Sequence, residues 1–251
     1  MLRALIAVLL MAVTVAVGAQ QGTETLPALT VTVGANHAPP YRIIDGGPPS
    51  GLYVEIFQKI TDRLGWKTHY REAPFRRVLK MIRQGEVDVV LGAPETTERG
   101  DLMAYVAQAF PPERRLFLYI KDANRIERYA DLYGKTIGVL EGSSYFKRFD
   151  NDAQLLKQPA PRYENLILMM EKGRVDVVVA PELVGMYTAR DLGKPVNVSP
   201  FYMPGERSWI AVAKTSPVLE YSDDIRAALK LIETEGIYEE LILKYMDGYA
   251  R

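Results

Sequence analysis

Two segments of the chain carry nearly the same sequence: Val78 to Pro94 reads VLKMIRQGEVDVVLGAP, and Leu166 to Glu182 reads LILMMEKGRVDVVVAPE. In both, a run with apolar residues at the i, i+3, i+4 spacing of a helix precedes a glycine, Gly85 or Gly173, which is typical of the position that ends a helix. A strand follows that is apolar at almost every position, as a parallel strand covered on both faces must be. The repetition predicts two similar α/β lobes, and ligand sites favour the crevice between such units.

The N-terminal segment 1–19 has the pattern of a secretory signal peptide. Arg3 supplies the positive charge, Ala4 to Val17 is almost entirely apolar, and residues 17–19 form a small-residue cleavage site. The competing interpretation is a retained membrane anchor, for which the run is short and lacks a basic flank. We therefore predict cleavage after Ala19 and a periplasmic protein.

Composition and missing motifs narrow the function classes. The chain has 31 basic and 31 acidic residues and no long basic run, which argues against a nucleic-acid partner. It has no cysteine, so disulfides, thiol nucleophiles and cysteine metal sites are excluded. The two histidines, His37 and His69, fall on different predicted elements, and no phosphate-binding or nucleophile-elbow motif occurs. We predict a binding protein with no metal or cofactor rather than an enzyme.

The order of predicted elements is β-α-β-α-β, a crossover, β-α-β-α, a second crossover and a terminal helical region. Two predicted crossover strands, Leu116 to Ile120 leaving the first lobe and Trp209 to Ala213 returning to it, would join the lobes as a hinge. This order predicts an α/β fold of two lobes, each a mostly parallel sheet flanked by helices. Lobe 1 would comprise residues 26–113 and 208–251, and lobe 2 residues 114–207.

Two local features complete this prediction. The segment Glu95 to Asp101 is polar and is expected to form a loop after the first copy of the repeat. Ser222 precedes two acidic residues and is expected to be the N-cap of the terminal helical region.

Seven short motifs occur in a fixed order between about Leu29 and Met246. They are Pro39-Pro40-Tyr41, Gly51-Leu52, Gly85-Glu86-Val87-Asp88, Thr97-Glu98-Arg99, the run from Gly134 to Val139, Gly173-Arg174-Val175-Asp176 and Gly236-Ile237-Tyr238. This ordered set resembles the periplasmic solute-binding proteins of polar amino-acid uptake systems, family 3 of the bacterial extracellular binding proteins. The resemblance implies a type II periplasmic-binding-protein fold and a monomer that closes on a small ligand. It also implies docking on the membrane permease of an ABC transporter.

The resemblance also implies residues for the ligand site. Arg99, from the Thr-x-Arg motif, would hold a ligand carboxylate, for which a guanidinium is well suited. Ser143 and Ser144 would add donors after the second lobe's opening strand, and Phe75 would pack on the ligand side chain. The alternatives are a solvated surface role for Arg99, an N-cap role for either serine and a core role for Phe75.

Four further candidates come from positions near the expected cleft. Tyr41 follows two prolines in a loop that faces the cleft, although it can equally fill the core. Arg77 can reach the cleft or lie on the polar face of its helix. Glu182 can replace the anchor for a ligand amine or simply compensate a helix dipole. Gly92, at the end of the first copy's strand, completes the candidate ligand-binding residues.

Three positions depart from the family pattern. Pro94 stands where the family usually has Ser or Thr, and Pro181 stands where its amine-holding aspartate is expected. Ala38 replaces the usual aromatic residue three before Tyr41. Carboxylate recognition is therefore expected to survive better than ammonium recognition. The predicted function is a transport binding protein for a small carboxylate-bearing ligand, and the alternatives are a periplasmic sensor component or a dehydratase-like enzyme.

Overall fold

Ten strands and eight α-helices form the part of the chain that the computed structural model describes, residues 28–205 and 207–246. The strands are β1 (Thr30–Ala35), β2 (Lys67–Glu72), β3 (Val89–Ala93), β4 (Met103–Phe110), β5 (Arg115–Tyr119), β6 (Thr136–Leu140), β7 (Leu156–Ala160), β8 (Val177–Pro181), β9 (Asn197–Met203) and β10 (Ser208–Ala213). The helices are α1 (Leu52–Arg63), α2 (Phe75–Arg83), α3 (Thr97–Gly100), α4 (Lys147–Asn151), α5 (Tyr163–Glu171), α6 (Glu182–Asp191), α7 (Ser222–Thr234) and α8 (Ile237–Met246). Short 3₁₀ helices occupy Asp122–Asn124, Tyr129–Leu132 and Pro217–Tyr221.

The strands form two five-stranded sheets, in the orders β2-β1-β3-β10-β4 and β7-β6-β8-β5-β9. In each sheet one strand, β10 or β5, is antiparallel to both of its neighbours, and the other four run in one direction. The antiparallel strand is in each case the one that has just arrived from the other sheet. The predicted two-lobed α/β fold is confirmed, with sheets that are mixed rather than purely parallel.

Corresponding aspartates fix the same strand pairing in both lobes. Asp88 accepts a hydrogen bond from the Thr32 backbone N–H at 2.8 Å, and Asp176 accepts one from the Thr136 N–H at 2.8 Å. Each aspartate also donates its own N–H to the carbonyl of the same threonine at 2.8 Å. The Val-Asp-Val-Val repeat is therefore a structural repeat, in which the aspartate joins the start of the central strand to the opening strand.

The helical half of the repeat has the same role in both lobes. Gly85 and Gly173 follow α2 and α5 with φ of 69° and 67°, a left-handed conformation that glycine adopts without strain. Helix α2 packs over β1, and helix α5 packs over β6. Gly34 and Gly138 lie beneath them, and a Cβ at either would meet side chains at 3.0 or 3.1 Å.

The two connections between the sheets touch in the middle of the molecule. One connection follows β4 and the other follows β9, and the two lie against each other. A Cβ on Gly205 would lie 1.6 Å from the Glu113 carbonyl oxygen, so only glycine allows the two backbones to approach this closely. This contact places Glu113 between the lobes.

Two local predictions are wrong. The segment Glu95 to Asp101 is not entirely a loop, because it contains α3, whose N-cap Thr96 accepts a hydrogen bond from the Arg99 N–H at 3.3 Å. Ser222 is not an N-cap, because the preceding 3₁₀ helix runs directly into α7. The Ser222 hydroxyl instead donates to the Leu219 carbonyl at 2.6 Å.

Sequence reasoning missed three strands, β4, β7 and β9, and each of them lies at the edge of a sheet. The predicted signal peptide at 1–19 lies outside the described residues, as do residues 26–27, 206 and 247–251 of the predicted lobes. Within the described ranges, no helix has the length and apolar character needed to cross a membrane.

Candidate functional site

A cavity of about 70 Å³ lies between the two sheets, next to the connections that join them. This is several times the space that one buried water needs. Both lobes contribute to its lining, which is typical of a ligand site between two units. The lining residues are Asn36, Ala38, Tyr41, Arg42, Tyr53, Phe75, Gly92, Pro94, Pro111, Glu113, Arg115, Leu140, Ser143, Ser144, Tyr145, Tyr163, Pro181, Val184 and Ser208.

A stack of three aromatic rings forms one side of the cavity. Tyr41 and Tyr53 are stacked with ring centroids 4.2 Å apart, and Tyr53 is stacked on Phe110 at 3.9 Å. The Tyr53 backbone N–H donates to the Tyr41 carbonyl at 3.0 Å, which ties the loop after β1 to the start of α1. Tyr41 is only 2% exposed, so its ring belongs to the core as well as to the cavity. Both predicted roles for Tyr41 are therefore compatible.

Arg42 is partly buried beside this stack and is held by hydrogen bonds to the protein itself. Its Nη1 donates to the Leu91 carbonyl at 3.0 Å, and its Nε and Nη2 reach the carbonyl and side-chain oxygens of Asn36 at 3.3 and 3.2 Å. Burial lowers the pKa of Arg42. Gly92 makes room for this arrangement, because it has φ of 82° and a Cβ there would lie 2.4 Å from the Tyr53 ring. Gly92 shapes the cavity by having no side chain.

Glu113, on the first connection, and Arg115, the first residue of β5, place opposite charges at the cavity. Glu113 is 8% exposed, and its Oε1 accepts from the Leu183 N–H at 2.7 Å. Arg115 Nη1 donates to the Glu113 carbonyl at 2.8 Å but lies 3.8 Å from the Glu113 carboxylate oxygen Oε2. Burial raises the pKa of Glu113 to about 7, and Arg115 opposes that shift.

The second lobe contributes the turn after β6. Ser143 donates its N–H to the Leu140 carbonyl at 3.0 Å, and the Ser144 hydroxyl donates to Asp150 Oδ2 at 2.8 Å. The next helix begins only at Lys147, with no side-chain cap. The alternative that either serine is an N-cap is therefore wrong. Both serines line the cavity, and their contact with a ligand stays a prediction.

Arg99 lies beside the cavity and joins the two lobes. It is 7% exposed, and its guanidinium carbon lies 5.4 Å from the centre of the Phe75 ring. Nη1 donates to the Pro94 carbonyl of the first lobe at 3.2 Å, and Nη2 donates to the Gly142 carbonyl of the second at 2.8 Å. The alternative of a solvated surface arginine is wrong. The predicted carboxylate contact is untested, and in this arrangement two carbonyls occupy the donors it would use.

Arg77 and Glu182 lie away from the cavity lining. Arg77 is half-exposed on α2, with its Nη2 3.9 Å from Glu86 Oε1. Glu182 begins α6 and accepts two hydrogen bonds from Arg114, one of them from Nε at 2.7 Å. Neither residue lines the cavity, so ligand contact by either one remains a prediction.

The structure brings five of the eight predicted site residues together around the cavity: Tyr41, Phe75, Gly92, Ser143 and Ser144. Sequence reasoning missed eight polar or charged residues of the lining: Asn36, Arg42, Tyr53, Glu113, Arg115, Tyr145, Tyr163 and Ser208. One signal was present at 111–115, where Pro-Pro-Glu-Arg-Arg places three charges between two apolar strands. Among the described residues, no group of three or more acidic or histidine side chains is placed to hold a metal ion.

Comparison with known proteins decides the family. Residues 30–248 match the model of the bacterial extracellular solute-binding proteins, family 3. The chain belongs to this family. The predicted resemblance is confirmed over nearly the whole described region.

Individual members of the solute-binding family 3 are distant relatives. The arginine-binding periplasmic protein of Mannheimia haemolytica is 26% identical over 233 residues, which cover 89% of this chain and 94% of that protein. The L-cystine-binding protein TcyA of Bacillus subtilis (strain 168) is 25% identical over 220 residues, covering 86% and 80%. An ancestral arginine-binding protein, solved bound to arginine, superposes with a TM-score of 0.74 at 23% identity and covers 86% and 97%. The relatives carry the names of binding proteins, and the solved structure supports the two-lobed fold.

Proposed function

We propose that this solute-binding protein is the periplasmic substrate-binding component of an ABC uptake system. It would act as a monomer that closes its lobes around a small polar ligand with a carboxylate, such as an amino acid. The observation that carries the proposal is the cavity between the lobes, which is lined from both sides and contains a buried carboxylate and two partly buried guanidinium groups. Such a cavity suits a compact polar molecule better than an apolar one.

The fold supports a cycle of opening and closing. The lobes are joined by two connections in mutual contact, and connections of this kind can act as a hinge. In the closed form, water is excluded and hydrogen bonds to charged groups are stronger than in solvent. The closed form would then dock on the membrane permease, after removal of the predicted signal peptide at 1–19 has released the protein into the periplasm.

A thermal-shift screen tests the proposal. The mature chain would be heated with each L-amino acid, with small dicarboxylates and with sugars of similar size. A molecule that binds only the folded state at about 100 times its Kd stabilises that state by about 2.7 kcal/mol, which raises the melting temperature. We expect at least one L-amino acid to do so and the sugars to have no effect.

A second measurement detects any ligand that stays bound to the protein through purification. Native mass spectrometry of the purified protein would reveal a retained molecule, and the screen would be repeated after unfolding, dialysis and refolding. Failure of every amino acid and small acid to stabilise the emptied protein would contradict the proposed function.

A further inference from the structure

The charges inside the cavity are not equally available to a ligand. Of the described residues that line it, three carry charged side chains: Arg42, Glu113 and Arg115. Arg42 already donates three hydrogen bonds to the protein, one to a backbone carbonyl on β3 and two to Asn36. Its role is to hold the loop after β1 against β3, so Glu113 and Arg115 are the candidates for ligand contact.

Arg115 keeps most of its hydrogen-bonding capacity. The side chain is 15% exposed, and its Nη1 donates a hydrogen bond to the Glu113 carbonyl at 2.8 Å. A guanidinium carries five N–H donors in a planar fork that matches the two oxygens of a carboxylate. Arg115 can therefore accept a ligand carboxylate without giving up its backbone contact.

Glu113 is a buried carboxylate whose ion-pair partner, Arg115, does not hydrogen-bond to it. Its Oε1 accepts from the Leu183 N–H, and a side-chain hydrogen bond joins it to Tyr41. Arg115 Nη1 lies 3.8 Å from Oε2, outside hydrogen-bond distance. Burying a charge without a bonded partner is costly, and an ammonium brought to Oε2 would offset that cost.

The two side chains match the two charged ends of a zwitterion. An α-amino acid carries its ammonium and its carboxylate on one carbon, and Glu113 and Arg115 present the complementary charges close together where the first connection enters β5. At the positions where the sequence suggested hydroxyl and aspartate ligands, the lining has Pro94 and Pro181, which offer neither. Neither proline side chain can therefore bind the ammonium or the carboxylate of a ligand.

We propose that Glu113 and Arg115 form the zwitterion-binding pair of this protein, with Glu113 receiving the α-ammonium and Arg115 the α-carboxylate. This rests on the proposed function, because it names the residues that would hold an amino acid in that same cavity. The pair restricts the ligand to molecules with adjacent positive and negative groups. The remaining space would be lined by the tyrosines.

Calorimetric titration of two variants and two controls tests the pair. The probes are L-arginine and whichever L-amino acid most stabilises the wild-type protein in the screen. Glu113→Gln and Arg115→Gln should each weaken binding by about 30-fold or more, as expected when one partner of a buried charge pair is removed. Arg125→Gln and Glu127→Gln are the controls, because this exposed ion pair lies outside the lining. The controls should stay within about 3-fold of wild type, less than 1 kcal/mol.

Analogues of the same probe test the pair in the wild-type protein, whether or not the variants fold. The deaminated acid and the decarboxylated amine of the best amino acid should each bind at least about 30-fold more weakly than the amino acid itself. Equal binding of the deaminated acid, or wild-type affinity in folded Glu113→Gln, would overturn the assignment and leave the proposed function intact. Failure of every amino acid to bind wild type would overturn both.

Discussion

At the scale of single residues, burial determines the behaviour of the cavity. Glu113 is enclosed by Tyr41, Arg115 and the Leu183 N–H, with Glu182 beyond them. Burial raises the pKa of Glu113 from 4.5 to about 7, and the favourable contacts with Arg115 and Tyr41 offset only part of that shift. The empty protein therefore holds a proton on Glu113 at a pH where the unfolded chain has released it.

This shift has a definite sign for stability. Because the folded state binds the proton more tightly, the contribution of Glu113 is fully present below pH 4.5 and is lost as the pH rises to about 7. The whole change is on the order of 3 kcal/mol. We expect the free energy of unfolding of wild type minus that of Glu113→Gln to fall by about this amount between pH 4.5 and pH 8. Urea unfolding of the empty proteins at both pH values measures it, and a difference that does not change with pH would contradict the expectation.

At the scale of elements, the repeated helix–glycine–strand unit is stabilised by one kind of contact used twice. Asp88 accepts from the Thr32 N–H and from the Ser216 hydroxyl, the latter at 2.7 Å. Asp176 accepts from the Thr136 N–H and from an asparagine side chain in the second lobe. Without the aspartate, the N–H of the opening-strand threonine would lose its hydrogen-bond partner. The contact therefore fixes the position of the central strand relative to the opening strand.

Removal of either aspartate should destabilise the lobe that contains it. Asp88→Ala and Asp176→Ala should each lower the free energy of unfolding by about 1–3 kcal/mol, because each leaves a partly buried N–H unpaired. Asp45→Ala, in an exposed loop, is the matched control and should change it by less than about 0.5 kcal/mol. Urea unfolding measures all three, and equal stability of the three variants would show that the repeat is not stabilised in this way.

At the scale of the whole molecule, contacts across the cleft hold the lobes together. Ion pairs join Arg76 to Glu141 and Glu72 to Arg162, each from the first lobe to the second. These pairs are partly exposed, so each contributes about 0–1 kcal/mol. The buried Arg99, which donates to carbonyls of both lobes, is the stronger contact because its charge is shielded from water. Of these three contacts, Arg99 is therefore expected to contribute most to holding the lobes together.

Substitution of Arg99 should shift the empty protein towards an open form. Arg99→Gln removes charge-assisted hydrogen bonds worth about 1.5–3 kcal/mol, so the radius of gyration from small-angle X-ray scattering should rise without ligand. Arg83→Gln, an exposed arginine at the end of α2, is the control and should leave the radius unchanged. An unchanged radius in Arg99→Gln, together with loss of the thermal shift by an amino acid, would instead favour the sequence-based role of Arg99 as a carboxylate ligand.

Central strands could be predicted from the sequence, but several edge strands could not. The central strands β3 and β8 were found because continuous burial leaves an unbroken apolar pattern. The missed strands β7 and β9 are half-exposed edge strands that contain Pro159 and Pro200, which are tolerated there because one side of an edge strand makes no ladder hydrogen bonds. Their strand conformation depends on the neighbour they pair with, which no local pattern records.

Some residues of the candidate site could likewise be predicted from the sequence, and others could not. Tyr41 and Ser143 were predicted in loops that follow strands, and Gly92 was predicted near the end of a strand, where chain order indicates the cleft. Glu113 and Arg115 were missed because a charged residue in a connecting segment reads as solvent-exposed from sequence alone. Their burial results from the second connection, where Gly205 packs against Glu113.

The sequence by itself determined the two matching lobes, since apolar periodicity and the repeated Val-Asp-Val-Val are local properties that specify which faces are buried. Only the tertiary structure decided which charges share the cavity, because that depends on two connections meeting after about ninety intervening residues have folded between them. Exclusion of water at that meeting point is what converts an ordinary glutamate and arginine into a candidate recognition pair.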